Sequence, residues 1–158
     1  MPFDRFSPDI PGYLQGEITG IVVGAPPNFP PPAVGTHVVD PAKPFDVTVT
    51  WTLSGVLVPL WQQALGGAWD VTVYAESQGA GPETKIGNVS VPVVVLQTSY
   101  TATIPASATG LSEHDPNSPN SGIYRLSVAV FLNSTLPAPG FDLIGFRGGP
   151  LIQVESPH

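Results

Sequence analysis

Apolar and polar residues alternate along several stretches of this chain, most clearly over residues 45–53. The apolar positions there are Phe45, Val47, Val49, Trp51 and Leu53. Aspartate and threonine fill the positions between them. A period of two places one set of side chains in a core and the other in solvent or against a polar partner. The same alternation over residues 69–76 and 124–132 predicts two further strands.

Weaker patterns extend this prediction to seven or eight short strands. β-Branched or alternating residues indicate strands over 17–23, 86–96 and 143–154, and the pattern continues at Tyr100, Ala102 and Ile104. Pro92 limits its segment to an edge strand or a bulge, and Gly148-Gly149-Pro150 predicts a bulge in the last strand. Short strands separated by turn residues are typical of an antiparallel sandwich or barrel.

One segment breaks the alternation. Within residues 56–65, Leu57, Leu60, Trp61 and Leu65 recur at helical spacing, and Gly66-Gly67 ends the run. A proline, Pro59, fits only in the first turn of such a helix. The segment therefore predicts one short helix that caps one end of the sandwich.

A short motif before the 124–132 strand narrows the fold. Asn120-x-Gly122-x-Tyr124-x-Leu126 resembles the Asp-x-Gly-x-Tyr-x-Cys corner of immunoglobulin-like domains, and Trp69 resembles their core tryptophan on strand C. The resemblance spans roughly residues 43–154 and implies that the Tyr124 hydroxyl bonds the backbone of the preceding loop. Leu126 replaces the cysteine, so no inter-sheet disulfide can form. Such a fold hosts many functions and implies none by itself.

The expected fold class is therefore an all-β, antiparallel, immunoglobulin-like sandwich of about seven to eight strands with one short helix and a Pro-rich N-terminal arm. We divide the chain into an arm, residues 1–15, and a single sandwich domain, residues 16–158. The arm places Phe3, Phe6, Ile10 and Tyr13 among prolines. Leaving them in water costs about 25 cal/mol per Å² of apolar area, so we expect the arm to dock, either on its own sandwich or on a neighbour.

Composition excludes several classes of function. Of the 158 residues, 11% are charged, against about 25% in typical domains. This weakly charged surface favours a protein partner, although the net charge of −7 alone could keep a small domain soluble. The five basic residues are never adjacent, which argues against nucleic acid and anionic membranes. The absence of cysteine removes disulfides, thiol catalysis and cysteine-ligated zinc.

The N-terminal sequence is not that of a classical signal peptide, because it lacks a basic region and an unbroken apolar run. We therefore expect synthesis in the cytoplasm, and export as part of an assembly stays open. No stretch approaches the roughly 18 consecutive apolar residues of a membrane helix, so we expect no membrane insertion.

Candidate chemistry is sparse. His114 lies between Glu113 and Asp115 in a polar loop, but neighbours on a loop rarely form a catalytic line, and no Gly-x-Ser-x-Gly turn occurs. Oxygen ligands in the 113–120 loop could hold Ca²⁺, yet turn formation by Asx and proline residues explains the same sequence better. No pair of acids suggests glycoside hydrolysis. We expect no enzymatic activity, no cofactor and no required metal.

The leading hypothesis is a non-enzymatic structural or protein–protein interaction module that belongs to a larger assembly or self-associates. The alternative is a carbohydrate-binding sandwich that uses Trp61, because Trp51 and Trp69 fall on inward strand positions and are expected in the core. A small hydrolase near His114 is the weakest hypothesis. The predicted interaction residues are Phe3, Phe6, Tyr13, Trp61, Val93 and Val95.

Overall fold

The computed structural model describes residues 5–24, 36–79, 81, 83–117, 119, 121–135 and 143–156. Within them lie eight β-strands and one α-helix. The elements are β1 (Gln15–Val23), β2 (Thr36–Val39), β3 (Pro44–Ser54), α1 (Val58–Leu65), β4 (Ala68–Ser77), β5 (Thr84–Pro92), β6 (Ser99–Ser107), β7 (Ile123–Asn133) and β8 (Leu143–Val154). The predicted all-β sandwich of about eight strands with one short helix is confirmed.

The strands form two sheets that pack face to face. One sheet has the order β1-β3-β6, and the other has the order β2-β8-β7-β4-β5. All neighbours pair antiparallel except β2, which runs parallel to β8. At four residues, β2 is too short to show an alternating pattern, so the sequence did not reveal it.

Alternation places the core between the sheets. The five apolar positions predicted on β3 are all buried, and the inward side chains of β4 and β7 face them across the interface. Threonines occupy the three central outward positions of β3, where β-branching favours the strand conformation at a half-exposed site.

The strand predicted over residues 86–96 is too long. It ends at Pro92, and residues 93–98 cross to the other sheet, where β6 begins. Proline has no N–H to continue the ladder, and Pro92 does lie on an edge strand, as predicted. The bulge predicted in β8 is confirmed. Its pairing with β7 shifts between Arg125–Leu151 and Ser127–Gly148, which leaves one extra residue on β8.

The tyrosine prediction is confirmed as well. Tyr124 is 6% exposed, and its hydroxyl donates to the Ser112 carbonyl at 2.9 Å and accepts from the Ser112 N–H at 2.8 Å. These two bonds tie the start of β7 to the loop that precedes it. Asn120 of the motif lies outside the described residues.

Residues 5–14 dock back on their own sandwich. Arg5 pairs with Glu17 of β1, and Ser7 pairs with Ile144 of β8, so the segment closes the gap between the two sheets. Phe6 is 1% exposed, and a Cβ atom on Gly145 would overlap its ring. Phe6 was predicted as an interaction residue, and this is corrected here: it is a core residue, because the missing side chain of Gly145 leaves room for its ring between the sheets.

Four buried aromatic rings pack against one another in the core. Trp51 stacks on Tyr100 with ring centroids 5.5 Å apart, and Trp69 lies 5.8 Å from both Trp51 and Phe6. Trp51 and Trp69 are fully buried, so the prediction that they are core residues is confirmed. Offset and edge-to-face arrangements of this kind add to the stabilisation that burial provides.

Candidate interaction surface

Large apolar side chains are exposed mainly at one end of the sandwich. Of the twelve such residues in the part of the chain that the structure describes, eight lie in three segments, 10–14, 55–60 and 93–98. The eight are Ile10, Tyr13, Val56, Leu57, Leu60, Val94, Val95 and Leu96. At this end β3 finishes and β4 and β6 begin. We call these eight residues the apolar end.

The 10–14 turn packs directly on the segment after β3. The Leu57 N–H donates to the Tyr13 carbonyl at 2.9 Å, and the Val56 N–H donates to the Gly12 carbonyl at 3.2 Å. Gly55 has a φ of 118°, and a Cβ atom there would overlap the Tyr13 backbone. A residue without a side chain is therefore required for this contact.

Helix α1 exposes apolar residues that its sequence pattern predicted to be buried. Its buried residues are Val58, Gln62 and Leu65, spaced one and two turns apart. Leu57, which precedes the helix, and Leu60 were predicted to share its apolar spacing, but they are 41% and 65% exposed. The core accepts Gln62 instead, because that side chain finds polar partners in the neighbouring loop. Pro59 lies in the first turn, as predicted.

Gln62 and Tyr100 hold the 94–97 loop from below. The Gln62 Nε2 donates to the Gln97 carbonyl at 2.6 Å and to the Tyr100 hydroxyl at 3.1 Å, and its Oε1 accepts from the Leu96 N–H at 3.0 Å. The Tyr100 hydroxyl donates to the Val94 carbonyl at 3.1 Å. Both side chains are 1% exposed. Buried hydrogen bonds of this kind restrict the loop to one conformation.

The loop itself is a turn with an unusual residue at its tip. The Gln97 N–H donates to the Val94 carbonyl at 3.1 Å, and Leu96 at the third position has a φ of 73°. Turns that need a positive φ there normally use glycine or asparagine. Among the described residues, Leu96 is the one non-glycine residue with positive φ, and it is 72% exposed. The chain thus exposes a large apolar side chain to solvent. It does so on a residue whose backbone has a left-handed conformation, which is unfavourable for leucine.

Charge is segregated along the molecule. Residues 47–69 and 86–112 contain no charged side chain. Asp9, next to the 10–14 turn, pairs with Arg5 at 3.4 Å. Seven of the ten acidic residues in the described ranges lie at the opposite end. They are Asp40, Asp46, Glu76, Glu83, Glu113, Asp115 and Glu155.

The structure brings only part of the predicted interaction set together. Tyr13 and Val95 are exposed at the apolar end, whereas Trp61 and Val93 are half-buried and pack against the core beneath it. Phe3 lies outside the described residues. Leu60 was missed as a surface residue, and Leu96 lay at the end of the predicted exposed edge but was not among the predicted interaction residues. The uncharged sequence around them was a usable signal, but the positive φ of Leu96 was not visible in the sequence.

The loop around His114 forms turns and local contacts. The Asp115 Oδ1 accepts from the Asn117 N–H at 2.8 Å, and the Glu113 carboxylate accepts from the Ser156 N–H. His114 is exposed and lines an open cleft beside Gln153. Among the residues placed in the structure, no group of three or more His, Cys, Asp or Glu side chains could hold a metal ion.

A second, smaller surface lies on the outer face of the five-stranded sheet. Phe131 pairs with Ile144 across β7 and β8, and Phe146 lies on the same face and is 43% exposed. Polar groups adjoin this patch, since the Asn88 Nδ2 donates to the Thr72 Oγ1 at 2.8 Å. The patch combines aromatic rings with hydrogen-bonding groups.

The chain matches no protein-family model and no curated protein. Within the described ranges, no helix has the length and apolar character needed to span a bilayer.

Proposed function

We propose that this chain is a non-enzymatic structural or protein-interaction module that docks a protein partner through its apolar end. The observation that carries the proposal is the concentration of eight exposed apolar side chains at the end away from most of the described acidic residues, above buried polar side chains that hold the loop in place. Large exposed apolar patches on stable domains mark interaction sites.

The size of the surface supports this function. Together the eight side chains expose on the order of 700 Å², close to the roughly 800 Å² that each partner of a standard interface buries. A pre-ordered loop also loses little entropy on binding, because Gln62 and Tyr100 already restrict it. The strained conformation of Leu96 adds a separate argument, since backbone strain is concentrated at functional positions.

We propose further that the sandwich is immunoglobulin-like. Its three-stranded sheet has the order β1-β3-β6, which corresponds to strands A, B and E, and the larger sheet places β8, β7 and β4 as G, F and C. Tyr124 then begins strand F, and Trp69 lies on strand C. This assignment concerns architecture, while the function rests on the apolar end.

Carbohydrate binding is the second candidate, and the structure offers it a better place than Trp61. Trp61 packs against the core. Phe131 and Phe146, with the Asn88–Thr72 pair nearby, combine ring faces for stacking on sugars with polar groups for their hydroxyls. This patch is smaller than the apolar end and half-buried in part, so we rank it second.

Photo-crosslinking in the cells that make the protein tests the leading proposal. A photoreactive benzoylphenylalanine replaces Leu96, and the control carries it at Thr103, which is exposed on the outer face of β6. We expect discrete protein adducts from position 96 and none from position 103. Equal adducts, or none at either position, would refute docking through the apolar end. Retention on insoluble polysaccharide that Phe146→Ala abolishes would favour the second candidate.

A further inference from the structure

We infer that the partner at the apolar end is a second copy of this chain, bound about a twofold axis. The inference rests on the proposed function and identifies the occupant of that surface.

The distribution of charge favours a dimer in which two copies meet through their apolar ends. Most of the acidic residues lie at the far end of strands that are up to twelve residues long. Strands of that length span roughly 35–40 Å, so two copies that meet through their apolar ends hold their acidic ends roughly 70 Å apart. The Debye length is about 8 Å at physiological salt, so repulsion across that distance is screened. Any contact that includes the acidic end would bring like charges together.

Backbone hydrogen bonding makes the apolar end suitable for burial against an equally apolar surface. At the 94–97 turn, the Leu96 N–H and the Gln97 carbonyl bond Gln62, and both backbone groups of Val94 bond the Tyr100 hydroxyl. Those groups therefore need no partner from the other protein. An interface between two such ends loses few hydrogen bonds to water on closing.

The interface area and the shortage of basic residues favour a second copy over a lipid surface as the occupant of the apolar end. Two apolar ends would bury about 1,400 Å² in total, within the standard range of roughly 1,200–2,000 Å². A membrane-binding loop is usually accompanied by lysine or arginine, which anionic headgroups attract. In the part of the chain that the structure describes, the lysine or arginine nearest the apolar end is Arg5, which is paired with Asp9. The net charge of −7 also repels an anionic bilayer.

Sedimentation velocity of the purified full chain over a wide concentration range tests the inference. We expect a reversible monomer–dimer equilibrium that salt above the physiological range does not weaken, because the distant acidic ends are already screened and apolar contact does not depend on charge. Leu60→Asp should weaken the dimer at least about a hundredfold, since it buries a carboxylate in an apolar contact. Leu60 lies in the first turn of α1, where an acidic residue favours the helix, so the variant should fold. Thr103→Asp adds the same charge outside the interface and serves as the matched control.

The outcomes distinguish the two levels of the proposal. Equal weakening by Leu60→Asp and Thr103→Asp, or a monomer at every concentration, would overturn the second copy. If the chain is monomeric but position 96 still crosslinks a protein in cells, the docking function stands and only the identity of the partner falls. If the chain is monomeric and instead floats with phosphatidylcholine vesicles in a manner that requires Leu60, a lipid surface is the occupant. With circular dichroism unchanged in both variants, loss of the dimer in Leu60→Asp alone supports the inference.

Discussion

Replacement of Leu96 by glycine tests two effects of this residue separately: its effect on the free energy of unfolding and its effect on association. Leu96 has a φ of 73° and is 72% exposed. Relief of the left-handed conformation should stabilise the protein by about 1–2 kcal/mol. The greater freedom of glycine in the unfolded chain offsets roughly 0.5–1 kcal/mol of this, and loss of the partly buried side chain offsets about 0.5 kcal/mol. Leu96→Gly should therefore change the free energy of unfolding by between about −0.5 and about +1 kcal/mol.

The same substitution should damage association. If the exposed part of Leu96, about 100 Å², is buried on docking, its loss costs about 2.5 kcal/mol for each copy. In a symmetric dimer both copies lose it, so the dissociation constant should rise at least about a hundredfold. Urea denaturation at concentrations where the monomer dominates measures the first effect, and sedimentation velocity measures the second.

Leu96→Ala is the matched control. It removes most of the side chain but keeps a Cβ atom, and hence most of the strain, so it should lose association without the gain in stability. If glycine is no more stable than alanine at position 96, the strain argument is wrong. If glycine leaves the dimer intact, Leu96 is not part of the interface.

Three further substitutions test the packing on which the surface rests. Tyr124→Phe strands two backbone groups of Ser112 and should cost about 1–3 kcal/mol by urea denaturation, and an unchanged midpoint would contradict this role. Gln62→Leu should cost about 2–3 kcal/mol and speed amide exchange in the neighbouring turn, whereas unaltered exchange there would show that Gln62 does not hold the loop. Gly145→Ala should cost about 2–4 kcal/mol by displacing the Phe6 ring, and the cost should shrink in a Phe6→Ala background, so a cost that adds fully to that of Phe6→Ala would rule out the clash.

Local pattern predicted most of the strands and the Tyr124 hydrogen bonds correctly, but it missed β2 and extended β5 beyond Pro92. The alternation at residues 45–53 and 124–132 reports on each strand by itself, because successive side chains point to opposite faces whatever the strand packs against. The bulge in β8 and the edge position of Pro92 follow from backbone chemistry that glycine and proline carry into any context. The hydroxyl bonds of Tyr124 were predictable because its motif is short and contiguous.

The candidate surface could be predicted only in outline. Tyr13 was predicted from the aromatic, proline-rich arm and Val95 from an exposed edge strand, and both are exposed at the apolar end. Val93 was predicted from the same edge strand and Trp61 as the one tryptophan outside the inward strand positions, but both lie half-buried beneath the apolar end. An apolar side chain looks the same in sequence whether it fills the core or faces solvent.

Tertiary structure decided which apolar residues are buried in the core and which are exposed. Phe6 entered the core because Gly145, far away in sequence, leaves room for its ring between the sheets. Leu60 is exposed because Gln62 occupies the buried face of α1, and that choice depends on Leu96 and Tyr100, which lie 34 and 38 residues further along the chain. Periodicity records the conformation of one segment, whereas exposure depends on every segment that packs against it. The surface that we assign to function is therefore a property of the assembled fold.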